Sequence, residues 1–149
     1  NILNGYSLYT YKTADTYPVA NLKPDEGKPE LTIVCYGGIV DEVLKAVNIL
    51  FIDEEILVDI FVVSEISNSF IPGLINSINS TNKLCFVEEG NSFGSFSSEV
   101  VSNLVENNLN NFSLLRISNK TIIPSSRELE ELVLPTYLKI KSSIISFLK

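Results

Sequence analysis

The chain has 149 residues, of which 45% are hydrophobic, and a formal net charge of −7 from 18 acidic and 11 basic residues. This length suits one domain with a sizeable core, and no apolar run reaches the roughly 18 residues that span a membrane. No cluster of lysine and arginine with interleaved aromatics occurs, which argues against a nucleic-acid partner because phosphate neutralisation needs a concentrated positive face. The chain has no histidine, so a hydrolase triad is effectively excluded.

The cysteines and the absence of methionine bear on the cellular compartment and on the start of the chain. Cys35 and Cys85 each lie in an apolar run, and buried free thiols are favoured over a disulfide or a metal pair. Such thiols fit a reducing compartment, which predicts the cytoplasm, or an organelle matrix if a leader was removed. There is also no methionine, even at position 1, which predicts a processed start or a piece of a longer polypeptide.

Residues 1–25 carry tyrosines scattered among threonine, serine and asparagine without a sustained period, which predicts an N-terminal arm or linker. Within this arm, residues 17–22 are predicted to form a short strand, and Pro18 would place that strand at the edge of a sheet. The turn-rich segment 23–29 marks the change to a compact unit, which we assign to residues 26–149.

The segment 31–50 predicts the first half of a β-α-β unit. Residues 31–36 are apolar or β-favouring without polar alternation, which is typical of a strand covered on both faces. Gly37 and Gly38 break the chain, and from Ile39 the apolar residues recur at helical spacing.

The rest of the chain repeats this alternation. Three further apolar runs predict strands: 55–63, 84–87 and 112–117. Helical spacing predicts four further helices: about 70–78, from 97 to an asparagine-rich stop at 107–111, 128–132 and 135–148. Serines at 67–69 and at 125 or 126 are predicted caps, and Pro135 is predicted at the first position of the last helix. The alternation predicts a mainly parallel sheet with helices on both sides.

In such a sheet the carboxyl ends of the strands form the functional edge. We expect this edge to collect four segments: Tyr36-Gly37-Gly38, Ser64-Glu65, Glu88-Glu89-Gly90 and Ser118-Asn119.

Each motif at this edge has two interpretations. The glycine pair before a helix offers backbone N–H groups to an anion, but a tight turn alone explains it better, since the dinucleotide and P-loop patterns are absent. Glu88 and Glu89 suit acid-base chemistry, although we favour one carboxylate in solvent and one that caps the loop amides of residues 91–95. Phe93 and Phe96 suit packing against another domain or subunit as well as a ligand pocket.

The order of these signals resembles the C-terminal domain of the transketolase-like thiamine-diphosphate enzymes. Within that group, the sequence resembles the beta subunit of the decarboxylating component of 2-oxoacid dehydrogenase complexes, such as pyruvate dehydrogenase. The resemblance covers about 17–148, and its strongest parts are the strand and Tyr-Gly turn at 34–38, the Val-Glu-Glu-Gly strand end at 87–90 with Gly94 following, and the Leu-Pro pair at 134–135.

This resemblance implies a three-layer α/β/α domain with five strands, the first of them antiparallel at one edge. It also implies that thiamine diphosphate and magnesium belong to the parent enzyme and lie between two other domains, so this chain has no catalytic, cofactor-binding or metal-ligating residue. By the same resemblance, its partners are the other domains or subunits of the parent enzyme, in a homodimer or heterotetramer, and the dihydrolipoyl acyltransferase core.

We therefore predict a C-terminal assembly or regulatory domain of a thiamine-diphosphate-dependent enzyme that is inactive alone. Seven residues are assigned to an interface or a regulatory ligand: Tyr36, Gly37, Gly38, Glu88, Glu89, Phe93 and Phe96. The alternative is a free-standing doubly wound domain that binds a small anion at Gly37-Gly38.

Overall fold

The computed structural model describes residues 3–11, 17–67 and 70–149, and the structural statements below concern these residues. Within them, strands and α-helices follow one another in this order: β1 (Tyr6–Tyr11), β2 (Val19–Pro24), β3 (Leu31–Tyr36), α1 (Val40–Glu54), β4 (Val58–Val63), α2 (Ile71–Thr81), β5 (Lys83–Asn91), α3 (Phe96–Glu106), β6 (Ser113–Asn119), α4 (Arg127–Val133) and α5 (Tyr137–Leu148). No helix in this part of the chain is long and apolar enough to cross a bilayer.

The strands form one mixed sheet in the order β1-β2-β4-β3-β5-β6. Strands β4, β3, β5 and β6 are parallel, and β2 joins them antiparallel through β4. At the centre, Ile33 of β3 lies opposite Ile60 on one side and Cys85 on the other. The predicted α/β fold with a mixed sheet is therefore confirmed.

The sheet separates two apolar layers because side chains alternate between its faces. Ile33 and Cys35 of β3 pack into a cluster with α1 and α5, whereas Val34 packs into a second cluster with α2 and α3. All three side chains are fully buried, which explains why the β3 sequence shows no polar alternation. Cys85 is also buried, and both thiols are free, as predicted. Burial raises the pKa of Cys35 to about 12.

The prediction of five strands with an antiparallel edge strand at 17–22 is wrong in strand number and in the edge position. The sheet has six strands among the described residues, and β1 pairs antiparallel with β2 from Tyr6↔Pro24 to Tyr11↔Val19. The strand at 17–22, observed as Val19–Pro24, is thus second from the edge. In β1, Tyr6 is buried while Leu8 and Tyr9 are exposed, so the sequence of this strand shows no continuous apolar run.

Three helix starts refine the predicted caps. Ser126 caps α4, in agreement with one of the two predicted serines. Thr136 caps α5 by accepting the Lys139 N–H at 3.4 Å, so Pro135 precedes this helix and does not occupy its first position. Helix α2 begins after Phe70 without a side-chain cap, and two residues of the predicted cap at 67–69 lie outside the described residues.

A carboxylate joins the beginnings of α1 and α5. Glu42 Oε2 accepts the Tyr137 backbone N–H at 2.7 Å, and Glu42 Oε1 accepts a hydrogen bond from Lys45 Nζ at 2.7 Å. The hydrogen bond from Lys45, followed by that from the Tyr137 amide, lowers the pKa of Glu42. A negative group at the amino end of α5 is also favourable for the helix dipole.

We expect Glu42→Gln to lower the melting temperature at neutral pH and to lose this effect in acid. Because the folded-state pKa of Glu42 lies below its unfolded value near 4.5, its stabilisation is present above that pH and disappears as the pH falls through the folded-state pKa. Thermal unfolding followed by circular dichroism at about pH 7 and about pH 3 would show the two melting curves converging. Glu106→Gln, at an exposed acid, is the control, and an undiminished difference for Glu42→Gln in acid would contradict the linkage.

Candidate functional site

The four parallel strands place their carboxyl ends along one edge of the sheet. Tyr36 ends β3, and Glu88 and Glu89 lie near the end of β5. Asn119, the last residue of β6, donates from Nδ2 to the Glu89 carbonyl at 3.0 Å, which ties the ends of β5 and β6 together. At the end of β4, Ser64 Oγ donates to the Pro18 carbonyl at 2.6 Å. The structure thus brings the four predicted segments to the same edge.

Glu88 is the central carboxylate of this edge. It is buried, and its Oε1 accepts the Ser97 backbone N–H at 3.1 Å and a hydrogen bond from the Tyr36 hydroxyl at 3.4 Å. Its Oε2 is also buried and has no hydrogen-bond partner among the described residues. Glu88 therefore caps the first turn of α3, rather than the amides of residues 91–95.

Glu89 points to the surface beside the glycine turn. A Cβ on Gly38 would lie 2.9 Å from Glu89 Oε1, so a side chain at Gly38 would displace this carboxylate. Gly37 has a φ of +67°, a conformation that L side chains rarely adopt. Asp41 and Glu42 add two more carboxylates in the first turn of α1. A tight turn in negative surroundings accounts for both glycines.

Aromatic rings pack together around Tyr36, the hydrogen-bond partner of Glu88. The Tyr36 and Phe96 rings meet edge to face with centroids 5.3 Å apart, and Phe70 lies 6.0 Å from Phe96. Burial, followed by the negative charge of Glu88, raises the pKa of Tyr36. Tyr36 therefore stays a neutral hydrogen-bond donor to Glu88 at physiological pH.

An open groove of about 490 Å³ lies over these rings, between the loops that follow β4 and β5. Tyr36 and Phe96 line it, together with Phe93, whose side chain is 93% exposed, and Ile66, which is 74% exposed. Large apolar side chains grouped at this exposure are typical of a surface that another molecule covers.

Arg116 contacts the serines at the start of α3. This β6 side chain donates from Nε to Ser97 Oγ at 2.9 Å and from Nη2 to Ser95 Oγ at 2.8 Å, to Ser98 Oγ at 3.0 Å and to the Ser92 carbonyl. Because Nη2 carries two hydrogens, these three acceptors share its donors. Arg116 thus fixes the loop that carries Phe93 and the first turn of α3.

The seven predicted residues do not all form one site. Tyr36, Glu88 and Phe96 form one contact network, and Gly38 lies beside the Glu89 carboxylate, in the space that a Cβ at position 38 would enter. Phe93 stands at the rim, and Gly37 has open space around it. Sequence reasoning missed Arg116, although a lone arginine within the apolar strand FSLLRI is itself a signal that a polar partner lies nearby.

The chemistry of this edge does not suit a thiamine diphosphate site. The Glu89 carboxylate lies beside the glycine turn and Asp41 lies in the first turn of α1, and this negative charge would repel a diphosphate. Among the described residues, no three histidine, cysteine or acidic side chains are grouped to hold a metal ion. That the cofactor belongs elsewhere in a parent enzyme remains a prediction.

Comparison with known proteins matches the chain to a family, and the solved structures that it resembles include the two described below. The model of the family described as "Transketolase, C-terminal domain" matches residues 20–140. No curated protein sequence matches the chain. A solved structure described as "Split gene transketolase, inactive beta4 tetramer" superposes with a TM-score of 0.71 at 19% identity over 82% of this chain and 40% of that chain.

A second solved structure, a thermostable esterase from Pseudomonas putida ECU1011, has a TM-score of 0.43 at 10% identity over 92% of this chain and 55% of the esterase chain, a likeness too weak to indicate a shared fold. At 19% identity, the likeness to the split-gene transketolase shows the fold alone. The chain spans less than half the length of that transketolase chain.

Proposed function

The chain belongs to the transketolase C-terminal domain family, and from this membership we propose that it is a non-catalytic assembly domain of a thiamine-diphosphate-dependent enzyme. The thiamine cofactor supplies carbanion stabilisation in such enzymes, and the catalytic groups lie in other domains or subunits. The role of this chain is to hold those parts together. Within the family, the motif order from the Tyr-Gly turn to the late Leu-Pro pair supports a beta-type component of a 2-oxoacid dehydrogenase.

The observation that carries this proposal is the contrast between the groove and the groups beneath it. Phe93 and Ile66 are among the most exposed large apolar side chains that the structure describes, and they stand together at the carboxyl edge. Below them, Glu88 Oε1 is occupied by Tyr36 and by the α3 amide. This arrangement favours packing against a protein surface over acid-base catalysis.

The proposed partners are the other domains or subunits of the parent enzyme, in a homodimer or heterotetramer, and the dihydrolipoyl acyltransferase core. The split-gene transketolase is described as a tetramer, which is consistent with assembly through subunits of this family. The alternative function, binding of a small anion at Gly37-Gly38, is less favoured because Glu89 beside the turn and Asp41 in the first turn of α1 make its surroundings negative.

The proposal is tested by titrating the chain with thiamine diphosphate and magnesium in a calorimeter and by measuring its association in sedimentation velocity runs. We expect no heat of cofactor binding, and we expect concentration-dependent association. Phe93→Asp should weaken this association by about tenfold or more, as expected when a charge replaces a buried aromatic anchor.

The matched control is Ile52→Asp, which places the same charge at an exposed residue on α1, away from the groove. It should leave the association constant unchanged. Stoichiometric cofactor binding would contradict a non-catalytic role for the chain. If the chain stayed monomeric at every concentration, or if the two substitutions had equal effects, assembly through the groove lined by Tyr36, Phe93 and Phe96, here called the carboxyl-edge groove, would be contradicted.

A further inference from the structure

Strand β6 is an edge of the sheet. It pairs with β5 on one side, from Lys83↔Ser113 to Asn91↔Asn119, and no described strand lies on its other side. An edge strand presents a row of unpaired backbone N–H and C=O groups, which is a template for pairing with another chain. Seven residues of β6 span about 20 Å, the length of an ordinary strand.

A groove follows this open edge. Two adjoining cavities of about 540 Å³ and 450 Å³ share Leu115 and Ser143, and together they extend along β6 as far as Thr121. Their far wall is α5, which carries three serines here: Ser142, Ser143 and Ser146. These small side chains leave the edge of β6 uncovered, although α5 packs on the face of the same strand.

The groove has a charge opposite to that of the chain as a whole. Lys120 and Lys139 line it, and within the described part of the chain neither forms a salt bridge, whereas the net charge of the protein is −7. Ser118 also lines the groove, and its buried Oγ has no hydrogen-bond partner among the described residues. The groove therefore offers two ammonium groups without salt-bridge partners to a ligand.

The rim of the groove is apolar and exposed. Leu132 of α4 lines the groove and is 79% exposed, and Ile122, which follows the lining residue Thr121 in the loop after β6, is 89% exposed. A partner with apolar side chains would cover these residues, while carboxylates on the same partner would reach the lysines.

We propose that this groove binds an extended, acidic segment of a partner polypeptide, which adds to the sheet as a strand beside β6. Backbone hydrogen bonds to the open edge give affinity that depends little on sequence, and the side chains of alternate residues give specificity. Charge complementarity with Lys120 and Lys139 favours a segment with carboxylates over a second copy of this acidic chain. This inference is independent of the function proposed for the carboxyl-edge groove.

The test is a titration of the full chain with a blocked seven-residue peptide of alternating glutamate and valine. Binding is measured by calorimetry, and amide hydrogen exchange is measured by NMR on the same samples. We expect the peptide to slow amide exchange in β6, most of all at Leu114, Arg116 and Ser118, because the Ser113 N–H donates to the Asn82 carbonyl and the amides of the alternate residues point away from β5. Exchange in β1, the opposite edge strand, should not change. The double variant Lys120→Glu, Lys139→Glu should bind about tenfold more weakly or worse.

Two controls separate strand addition from charge attraction. Lys28→Glu removes an exposed lysine elsewhere and should leave peptide affinity unchanged. A peptide of the same sequence with N-methylated backbone amides keeps its carboxylates but loses the backbone N–H groups that would donate to β6, and it should not bind. Equal binding of that peptide, no binding at about 1 mM, or protection of β1 would overturn the proposal. Concentration-dependent protection of β6 without peptide would overturn it as well, because a second copy would then occupy the groove.

Discussion

We expect Asp59→Ala to lower the free energy of unfolding by about 2 to 4 kcal/mol, because the buried Asp59 carboxylate holds two charge-assisted hydrogen bonds. Asp59 Oδ1 accepts from Asn21 Nδ2 at 2.5 Å, and Asp59 Oδ2 accepts from Ser77 Oγ at 2.6 Å. Alanine removes both acceptors, so Asn21 Nδ2 and Ser77 Oγ each lose one buried hydrogen bond. The alanine variant no longer has to bury a carboxylate, and this gain in free energy offsets part of the loss, which keeps the expected change below about 4 kcal/mol.

Asp59 fixes more than its own strand. Ser77 Oγ lies 2.7 Å from Thr32 Oγ1, and Thr32 Oγ1 lies 2.9 Å from Thr81 Oγ1, so the network joins β4 to β3 and α2. Asn21 brings β2 into the same network and also donates from Nδ2 to the Ile60 carbonyl at 3.0 Å. We therefore expect the Asp59→Ala substitution to speed amide exchange in β2, and to speed it more there than in β3.

Urea unfolding followed by circular dichroism measures the change in stability. Asp59→Asn keeps the shape and one acceptor oxygen and should lose about half as much free energy as alanine, on the scale of one hydrogen bond to a charged group. Glu106→Ala removes an exposed carboxylate and should change stability by less than about 0.5 kcal/mol. An Asp59→Ala protein within that same range would show that the network does not stabilise the fold.

The central elements were predictable because a strand that is buried on both faces has a continuous run of apolar residues. Strand β3 has an apolar run that ends at Gly37, and the helical period of α1 follows at once. Strand β1 was not predicted because, among its side chains whose burial is described, Tyr6 is buried while Leu8 and Tyr9, on opposite faces, are exposed. Tyr6 packs edge to face on Phe51 with centroids 6.0 Å apart, a contact between distant parts of the chain that no local period reveals.

The site was predictable only where it depends on strand order. Parallel strands bring Tyr36 and Glu88 to one edge although they lie 52 residues apart, and their hydrogen bond follows from that order. The partners of Asp59 and Arg116 depend on the register of β2 against β4 and on the path of the loop before α3. A charged residue within an apolar strand indicates that a polar partner exists, but it does not identify that partner.

We expect Arg116→Met to lower the free energy of unfolding by about 2 to 3 kcal/mol, the scale of losing hydrogen bonds from a charged group that is partly buried. Methionine keeps much of the aliphatic volume of arginine, so the change reports mainly on the guanidinium. The guanidinium links β6 to Ser92 in the loop and to the serines at the start of α3. Its loss should also speed amide exchange at Ser97 and Ser98, while Val100 deeper in α3 changes little.

Arg116→Lys distinguishes charge from geometry. An ammonium group keeps the positive charge and three donors but lacks the planar fork, so we expect this variant to lose part of the stability and to lie between the native protein and Arg116→Met. Lys28→Met removes an exposed positive charge from the turn before β3 and should leave stability within about 0.5 kcal/mol of the native value. If Arg116→Met matched that control in urea unfolding and left exchange at Ser97 unchanged, the loop that presents Phe93 would owe its position to backbone packing and not to Arg116.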